Sequence, residues 1–255
     1  MDQPAALDNP QLQEAIDRFM PYLHEVRKKL LVLAIVFTIF AALGFAFYQK
    51  ILLFIMGLFN LKGITIVLTS PYQFIDLSIN TALVMGIAAV IPFLLFDILS
   101  FIRPALTKPE FKLLQRLVPF TIILFAAGFA FGLWIMNIVI NIFYQTTQSF
   151  NLNNLWDISH FFTQTLVMAI SLGIVFEFPV VLTALLRLHV VKRQFLVKSR
   201  RYIYAALIIF ATLMPPTDLL SLTLITIPLI LLFELTMLFN QPHHLLLPKE
   251  VKHHV

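Results

Sequence analysis

Long apolar stretches alternate with short polar connections along most of the chain. A transmembrane helix needs about 20 consecutive apolar residues, and the pattern predicts six such helices. Their approximate bounds are 30–48, 76–102, 113–144, 159–186, 202–214 and 219–239. The fifth stretch is too short to cross a hydrocarbon core of about 30 Å at about 1.5 Å per residue. We therefore expect the last two spans to be short, with their turn below the membrane surface.

The polar segments predict the remaining organisation. Apolar side chains from Leu12 to Phe19 recur at helical spacing, which indicates an amphipathic helix on the membrane surface within residues 1–20. Residues 49–75 are interpreted as a loop with apolar pieces, and two prolines in the loop 103–112 argue against a continuous helix there. Residues 240–255 are expected to form a flexible tail. The chain 1–255 is thus predicted to be a single polytopic membrane domain of the all-α class.

The composition agrees with a membrane protein. Hydrophobic residues make up 60% of the chain and charged residues 12%, against about 25% charged residues in soluble domains. The mean hydropathy is +0.90. The sequence has no cysteine, which excludes disulfides, thiol redox chemistry and Cys-ligated metal.

The distribution of cations predicts the orientation in the membrane. Six spans put both termini on one side, which carries sixteen Lys and Arg, whereas the other side carries only Lys50 and Lys62. Because cytoplasmic loops are enriched in Lys and Arg, both termini are expected in the cytoplasm. The net charge of +5 therefore reflects topology and does not indicate nucleic acid. Six of these cations lie in the loop 187–201, where contact with anionic lipid is expected.

One carboxylate, Glu177, interrupts the fourth apolar stretch in the sequence F-E-F-P. It lies ten residues before Arg187, or about 15 Å along a helix, which puts it near the bilayer midplane. A carboxylate there costs several kcal/mol unless it is protonated, paired or open to water, and Pro179 is expected to bend the helix beside it. Two interpretations remain open. Glu177 is either a protonated, hydrogen-bonded group of the bundle or part of a polar cavity used by a substrate, ion or partner.

Two other acids, Glu25 and Glu110, lie among basic neighbours at predicted cytoplasmic ends of spans. Carboxylates at such an interface can accept paired hydrogen bonds from guanidinium groups. Each acid also has lysines within four residues, so a local ion pair is the alternative.

Near the last span, Asp218 can cap a helix or serve a function, and Glu234 can snorkel or pair with a cation of an adjacent loop.

No motif of a soluble active site is found. The sequence lacks a glycine-rich phosphate loop, the metalloprotease pattern H-E-x-x-H and the hydrolase pattern G-x-S-x-G. We therefore expect neither an enzyme nor a cofactor or metal.

The motifs resemble, in their order, those of the TatC family, the core receptor subunit of the twin-arginine protein translocase. The resemblance covers about residues 21–239. It is carried by L-H-E-V-R-K-K-L at 23–30, Ser70-Pro71, Pro92, F-I-R-P-A-L-T-K-P-E at 101–110, F-E-F-P at 176–179, P-T-D at 216–218, and I-P followed by L-F-E at 227–234.

The resemblance implies a concave bundle of six helices in the bacterial inner membrane that binds twin-arginine signal peptides of folded proteins. Glu25 and Glu110 match the positions that receive the arginine pair. Arg27, Phe101, Pro104 and Leu106 would belong to the same surface. Glu177 and Pro179 would face an intramembrane polar cavity, with this acid exposed to it.

The resemblance also implies partners and an energy source. Single-span TatA-type and TatB-type subunits would dock near the outer turn, and the subunit would form a homo-oligomer within the complex. Transport would be driven by the proton-motive force. The implied docking residues are Thr212, Pro216, Thr217 and Asp218. Two positions depart from the family pattern, because Pro215 and Leu222 stand where Thr and Gln are frequent.

A proton-coupled secondary transporter using Glu177 is the alternative function. It would favour inverted repeats and paired broken helices, which the sequence does not display.

Overall fold

The computed structural model describes residues 10–59, 65–101, 108–150, 155–188, 190–214 and 219–240. Side chains are described over the same ranges apart from 10–19, 21–23, 65, 99–101 and 108–118.

Helices make up almost all of the described chain. Their bounds are α1 Pro10–Leu58, α2 Gln73–Phe101, α3 Lys108–Ser149, α4 Ile158–Phe176, α5 Phe178–Arg187, α6 Arg193–Lys198, α7 Arg200–Thr212 and α8 Leu219–Phe239. Two three-residue strands, β1 Thr65–Val67 and β2 Leu155–Asp157, pair in parallel with Ile66 opposite Trp156. Within the described ranges, five segments are long and apolar enough to cross a membrane: 24–58, 73–98, 119–149, 158–187 and 219–239.

The first helix differs from its prediction. Instead of a separate surface helix, a span and a loop from residue 49, α1 is one continuous helix of 49 residues. Its C-terminal part stays helical because Leu52 and Ile55 are buried in the core. Phe59 continues this contact, and its ring meets the ring of Phe161 edge-on at 5.6 Å. Local sequence does not reveal this packing, so the sequence alone predicts a loop at this apolar piece.

Helix α3 also begins earlier than predicted. It starts at Lys108 and includes Pro109 and Glu110, so the expected loop 103–112 is shorter. Proline is tolerated in the first turn of a helix, where its missing N–H has no intrahelical acceptor in any case. The β1–β2 pair was not predicted either, because its partners lie about 90 residues apart and only the fold brings them together.

Close helix packing forms the core. Helix α1 packs along α2, and α3 packs along α4. Helices α3 and α4 approach closely at Gly132, where an added Cβ would lie 2.6 Å from the Ala169 Cα. Buried apolar side chains fill the two main clusters, which include Leu77, Phe125, Phe162, Leu166, Ile135, Met168, Leu172, Ile225 and Leu229.

The expectation of two short final spans is right only in part. Helix α7 has 13 residues and is too short to cross a bilayer by itself. Helix α8 has 21 residues and reaches span length. The short element is therefore α7 alone.

Candidate functional site

Glu25 and Arg27 lie in the N-terminal part of α1, at the start of the span-length segment 24–58. The Glu25 carboxylate is 3.1 Å from the Lys29 ammonium one turn later, and its side chain is 52% exposed. The local pair left open by the sequence is therefore present. An exposed pair of this spacing contributes only about 0.3–0.5 kcal/mol, so it can readily be exchanged for a stronger partner. Arg27 is exposed on the same helix.

The other predicted members of this surface are described only in part. Glu110 lies in the first turn of α3 and Phe101 is the last residue of α2, but their side chains are outside the described set. Pro104 and Leu106 lie outside the described residues. The proximity of these four residues to Glu25 stays a prediction.

Glu177 joins α4 to α5. Helix α4 ends at Phe176 and α5 begins at Phe178, with Pro179 in its first turn. The break is mild because Glu177 keeps helical dihedral angles, φ −74° and ψ −16°. Its carbonyl oxygen accepts from the N–H groups of Val180 and Val181 at 3.0 and 3.1 Å. The proline therefore divides the span into two helices without leaving this carbonyl unsatisfied.

The Glu177 side chain is enclosed by protein and is only 2% exposed. Its predicted exposure to a cavity is therefore wrong for the chain by itself. Neither carboxyl oxygen has a hydrogen-bond partner within the described part of the chain, so the hydrogen-bonded interpretation is not supported there. The Glu177 carboxyl is thus buried without a hydrogen bond from the described residues to offset the loss of hydration.

Thr212 is the last residue of α7, where its exposed hydroxyl donates to the carbonyl of Ile209 at 2.6 Å. The remaining predicted docking residues, Pro216, Thr217 and Asp218, lie outside the described residues. The predicted cap by Asp218 is therefore also outside them.

Glu234 has the partner that the sequence offered as one alternative. Its carboxylate lies 3.0 Å from the Arg200 guanidinium and accepts a hydrogen bond from the Tyr204 hydroxyl. This network joins the N-terminal end of α7 to the C-terminal half of α8. Of the two alternatives for Glu234, the structure contains the ion pair, with a cation that lies in the first turn of α7.

Asp157 was not singled out from the sequence. It caps α4 by accepting from the His160 N–H at 3.0 Å. It also accepts from the Thr69 hydroxyl and the Gln73 amide, and so fastens the start of α2 to the start of α4. These hydrogen bonds, led by that of Thr69, lower the pKa of the Asp157 carboxyl. An Asp directly before an apolar stretch is a known helix-start signal and would have indicated the cap.

An apolar cavity of about 430 Å³ lies among the first four helices. Ile51 of α1, Val84 of α2, Phe125 of α3 and Leu166 of α4 are among its lining residues. It offers space for an apolar side chain or segment, but hardly any polar contact.

Five segments of span length and many exposed large apolar side chains, such as Leu53 at 69% and Ile122 at 60%, define a multispanning helical membrane protein. Such side chains are stable on the outside because lipid covers them.

Comparisons with known proteins give the family. The family model described as "Sec-independent protein translocase protein (TatC)" matches residues 21–228. The chain is 32% identical over 227 residues to the Sec-independent protein translocase protein TatCy of Bacillus subtilis, over 87% of this chain and 88% of that one. It is 31% identical over 184 residues to TatC of Haemophilus influenzae, over 71% and 72% of the two chains. The chain belongs to the TatC family and is a membrane-embedded component of Tat protein transport.

The fold agrees with a solved structure. A crystal structure of the twin arginine translocase receptor TatC in DDM matches with a TM-score of 0.77 at 23% identity, over 86% of this chain and 99% of that one.

Proposed function

We propose that this protein recognises twin-arginine signal peptides and nucleates assembly of the complex that exports folded proteins. It does so as a six-span subunit of the bacterial inner membrane with both termini in the cytoplasm. The observation that carries the proposal is Glu25, a half-exposed carboxylate at the charged start of the first span. It is available for recognition because the Lys29 pair holds it only weakly.

The chemistry favours arginine as the incoming group. A guanidinium presents a planar fork that binds a carboxylate through two parallel hydrogen bonds, whereas an ammonium is a point charge. An arginine of the signal therefore displaces Lys29 from Glu25 with a net gain. Glu110 takes the second arginine, and the residues Arg27, Phe101, Pro104 and Leu106 shape the surrounding surface.

Glu177 and Pro179 are assigned to the intramembrane polar part of the complex. The carboxyl is enclosed in the isolated chain, so it meets a substrate or partner only after α4 and α5 move relative to their neighbours. Retaining a buried group that destabilises the fold is typical of functional sites.

The partners are proposed to be TatA-type and TatB-type single-span subunits, with further copies of this chain in the complex. The 13 residues of α7 extend about 20 Å, less than a hydrocarbon core of about 30 Å. This mismatch favours a partner helix beside α7 and the outer turn. The docking residues are Thr212, Pro216, Thr217 and Asp218, and the proton-motive force drives transport.

Site-specific photocrosslinking between the full-length protein in membrane vesicles and a precursor with an Arg-Arg signal tests this proposal. Glu25→Ala and Glu110→Ala each remove a charge-assisted hydrogen bond of about 1.5–3 kcal/mol, which corresponds to roughly a 10- to 150-fold loss of binding. Lys29→Gln is the matched control, because it removes the local ion pair and keeps Glu25. Binding should be kept or improved in this variant.

The same measurement with a Lys-Lys signal should give weak crosslinking to the unaltered protein. The proposal fails if Glu25→Ala and Glu110→Ala together leave crosslinking normal, or if Arg-Arg and Lys-Lys signals crosslink equally. If Lys29→Gln and Glu25→Ala reduced crosslinking equally, the role of Glu25 would instead be to stabilise α1 through its ion pair with Lys29.

A further inference from the structure

The segment 187–201 runs from the last residue of α5 to the first turn of α7 and contains six cations and no acid. The structure divides these cations into two groups. Arg193 points toward the end of α8, with its guanidinium 3.5 Å from the Met237 carbonyl oxygen. Arg200 pairs with Glu234 at 3.0 Å. These two arginines therefore stabilise contacts with α8.

The other four cations are exposed and are called here the basic platform. Its members are Arg187, Lys192, Lys198 and Arg201. The helix α6 between Lys192 and Ser199 is anchored through Leu196, which is buried with Phe233 and Met237 of α8. This anchor holds the platform next to the ends of α5 and α7.

Large apolar side chains are interleaved with the basic platform. Val190 is 65% exposed, Phe195 64% and Tyr202 63%. The Arg201 guanidinium lies over the Tyr202 ring, 4.8 Å from its centroid, and donates to the Tyr202 hydroxyl at 3.0 Å. A loop surrounded only by water would leave these side chains unfavourably solvated. Cations alternating with aromatic and aliphatic side chains are instead typical of segments that lie in the headgroup region.

We propose that the basic platform binds the phosphate groups of anionic phospholipids, with Val190, Phe195 and Tyr202 inserted beside the acyl chains. Charge complementarity favours this occupant because the platform presents four cations and its loop has no acid to offset them. The position favours it as well, since the platform borders the end of the span-length segment 158–187. This lipid site is independent of signal recognition at Glu25.

Native mass spectrometry of the full-length protein in detergent, titrated with phosphatidylglycerol or phosphatidylcholine, tests the site. Lys192→Gln with Lys198→Gln removes two platform charges. Each cation near an anionic surface strengthens binding about fivefold, so the double variant should bind phosphatidylglycerol about 25-fold more weakly. Binding of phosphatidylcholine should stay unchanged. The control, Lys50→Gln with Lys62→Gln, removes the same charge outside the loop and should leave both lipids unaffected.

Either single substitution is expected to weaken phosphatidylglycerol binding about fivefold, which keeps the test decisive if the double variant does not fold. Phe195→Gln should weaken the binding of both lipids, since it removes an apolar anchor without changing charge. Equal losses in the platform and control variants, or none in either, would overturn the proposal.

Discussion

At the scale of single residues, Glu177 lowers the stability of the fold. Its carboxyl is buried, and within the described residues neither oxygen has a partner. A buried polar group left without a hydrogen bond costs about 1–3 kcal/mol, and this penalty is not needed to build the fold. This penalty is the reason why we propose a role for Glu177 in transport.

Glu177→Leu should accordingly stabilise the protein. Leucine has a similar volume and removes the unsatisfied oxygens, so the free energy of unfolding should rise by about 1–3 kcal/mol. Thermal unfolding of the purified protein in detergent measures the change, and export of a folded reporter should fall in the same variant. Glu177→Gln keeps a polar group and should stay within about 1 kcal/mol of the unaltered protein. A lower unfolding midpoint for Glu177→Leu would show that the carboxyl has a stabilising partner.

Asp157 predicts a dependence of stability on pH. Its pKa is below the ordinary value because it accepts hydrogen bonds from Thr69, His160 and Gln73. A lowered pKa in the folded state contributes stability that is fully present above the unfolded pKa near 3.8 and is lost as pH falls through the folded pKa. Between pH 7 and pH 3 the unfolding midpoint should fall less in Asp157→Asn than in the unaltered protein. Asp76→Asn, at an exposed carboxylate of α2, is the control and should keep the full pH dependence.

At the scale of elements, glycines of α3 allow this helix to pack closely against α4. Gly128 and Gly132 let the backbones approach so closely that an added Cβ would lie 2.5 Å from the Leu172 carbonyl oxygen or 2.6 Å from the Ala169 Cα. Small residues four apart are typical of membrane helices in close contact. The contact lies between two helices of one chain, so the glycines are explained by its fold.

Gly132→Ala should therefore destabilise the protein although alanine is the better helix former. The Cβ meets backbone that cannot rotate away, and overpacking of this kind costs about 1–3 kcal/mol. Gly57→Ala is the matched control, since a Cβ at Gly57 meets nothing within 4 Å. It should be neutral or stabilising by up to about 1 kcal/mol. Thermal unfolding in detergent compares the two variants, and similar midpoints would contradict the close α3–α4 contact.

At the scale of the whole molecule, the spans differ in length. The segment 24–58 has 35 residues, whereas α7 has 13. A bilayer that fits the long helices is too thick for α7, and each ångström of mismatch costs a fraction of a kcal/mol. The molecule is thus expected to thin the membrane on the side of α7 or to bind a partner there.

Bilayer thickness should consequently affect stability. In vesicles of phosphatidylcholine with 14-carbon chains the unfolding temperature should be higher than in vesicles with 20-carbon chains, because α7 is less mismatched in the thinner bilayer. The comparison uses the unaltered protein in both lipids. Adding a single-span partner subunit should reduce the difference. An unfolding temperature that is the same in both lipids would mean that α7 does not face the hydrocarbon core.

The sequence predicted the helical membrane class and the short apolar segment at 202–214, and it offered the pairing of Glu234 with a nearby cation as one of two alternatives. It could do so because these properties follow from apolar run length, proline position and local charge. It marked Glu25 and Glu177 as candidate functional groups, since acids near or within apolar spans are chemically conspicuous. The continuation of α1 to Leu58 and the early start of α3 were missed, because a boundary depends on packing partners as well as on local preference.

The sequence by itself therefore determined which segments enter the membrane, since transfer into lipid depends on the apolar content of each segment separately. Only the tertiary structure decided which segments touch. It enclosed Glu177, joined β1 to β2, placed Asp157 between Thr69 and His160, and divided the cations of the loop 187–201 into structural and exposed groups. These contacts join residues of separate elements, and their geometry is set by how the helices pack against one another.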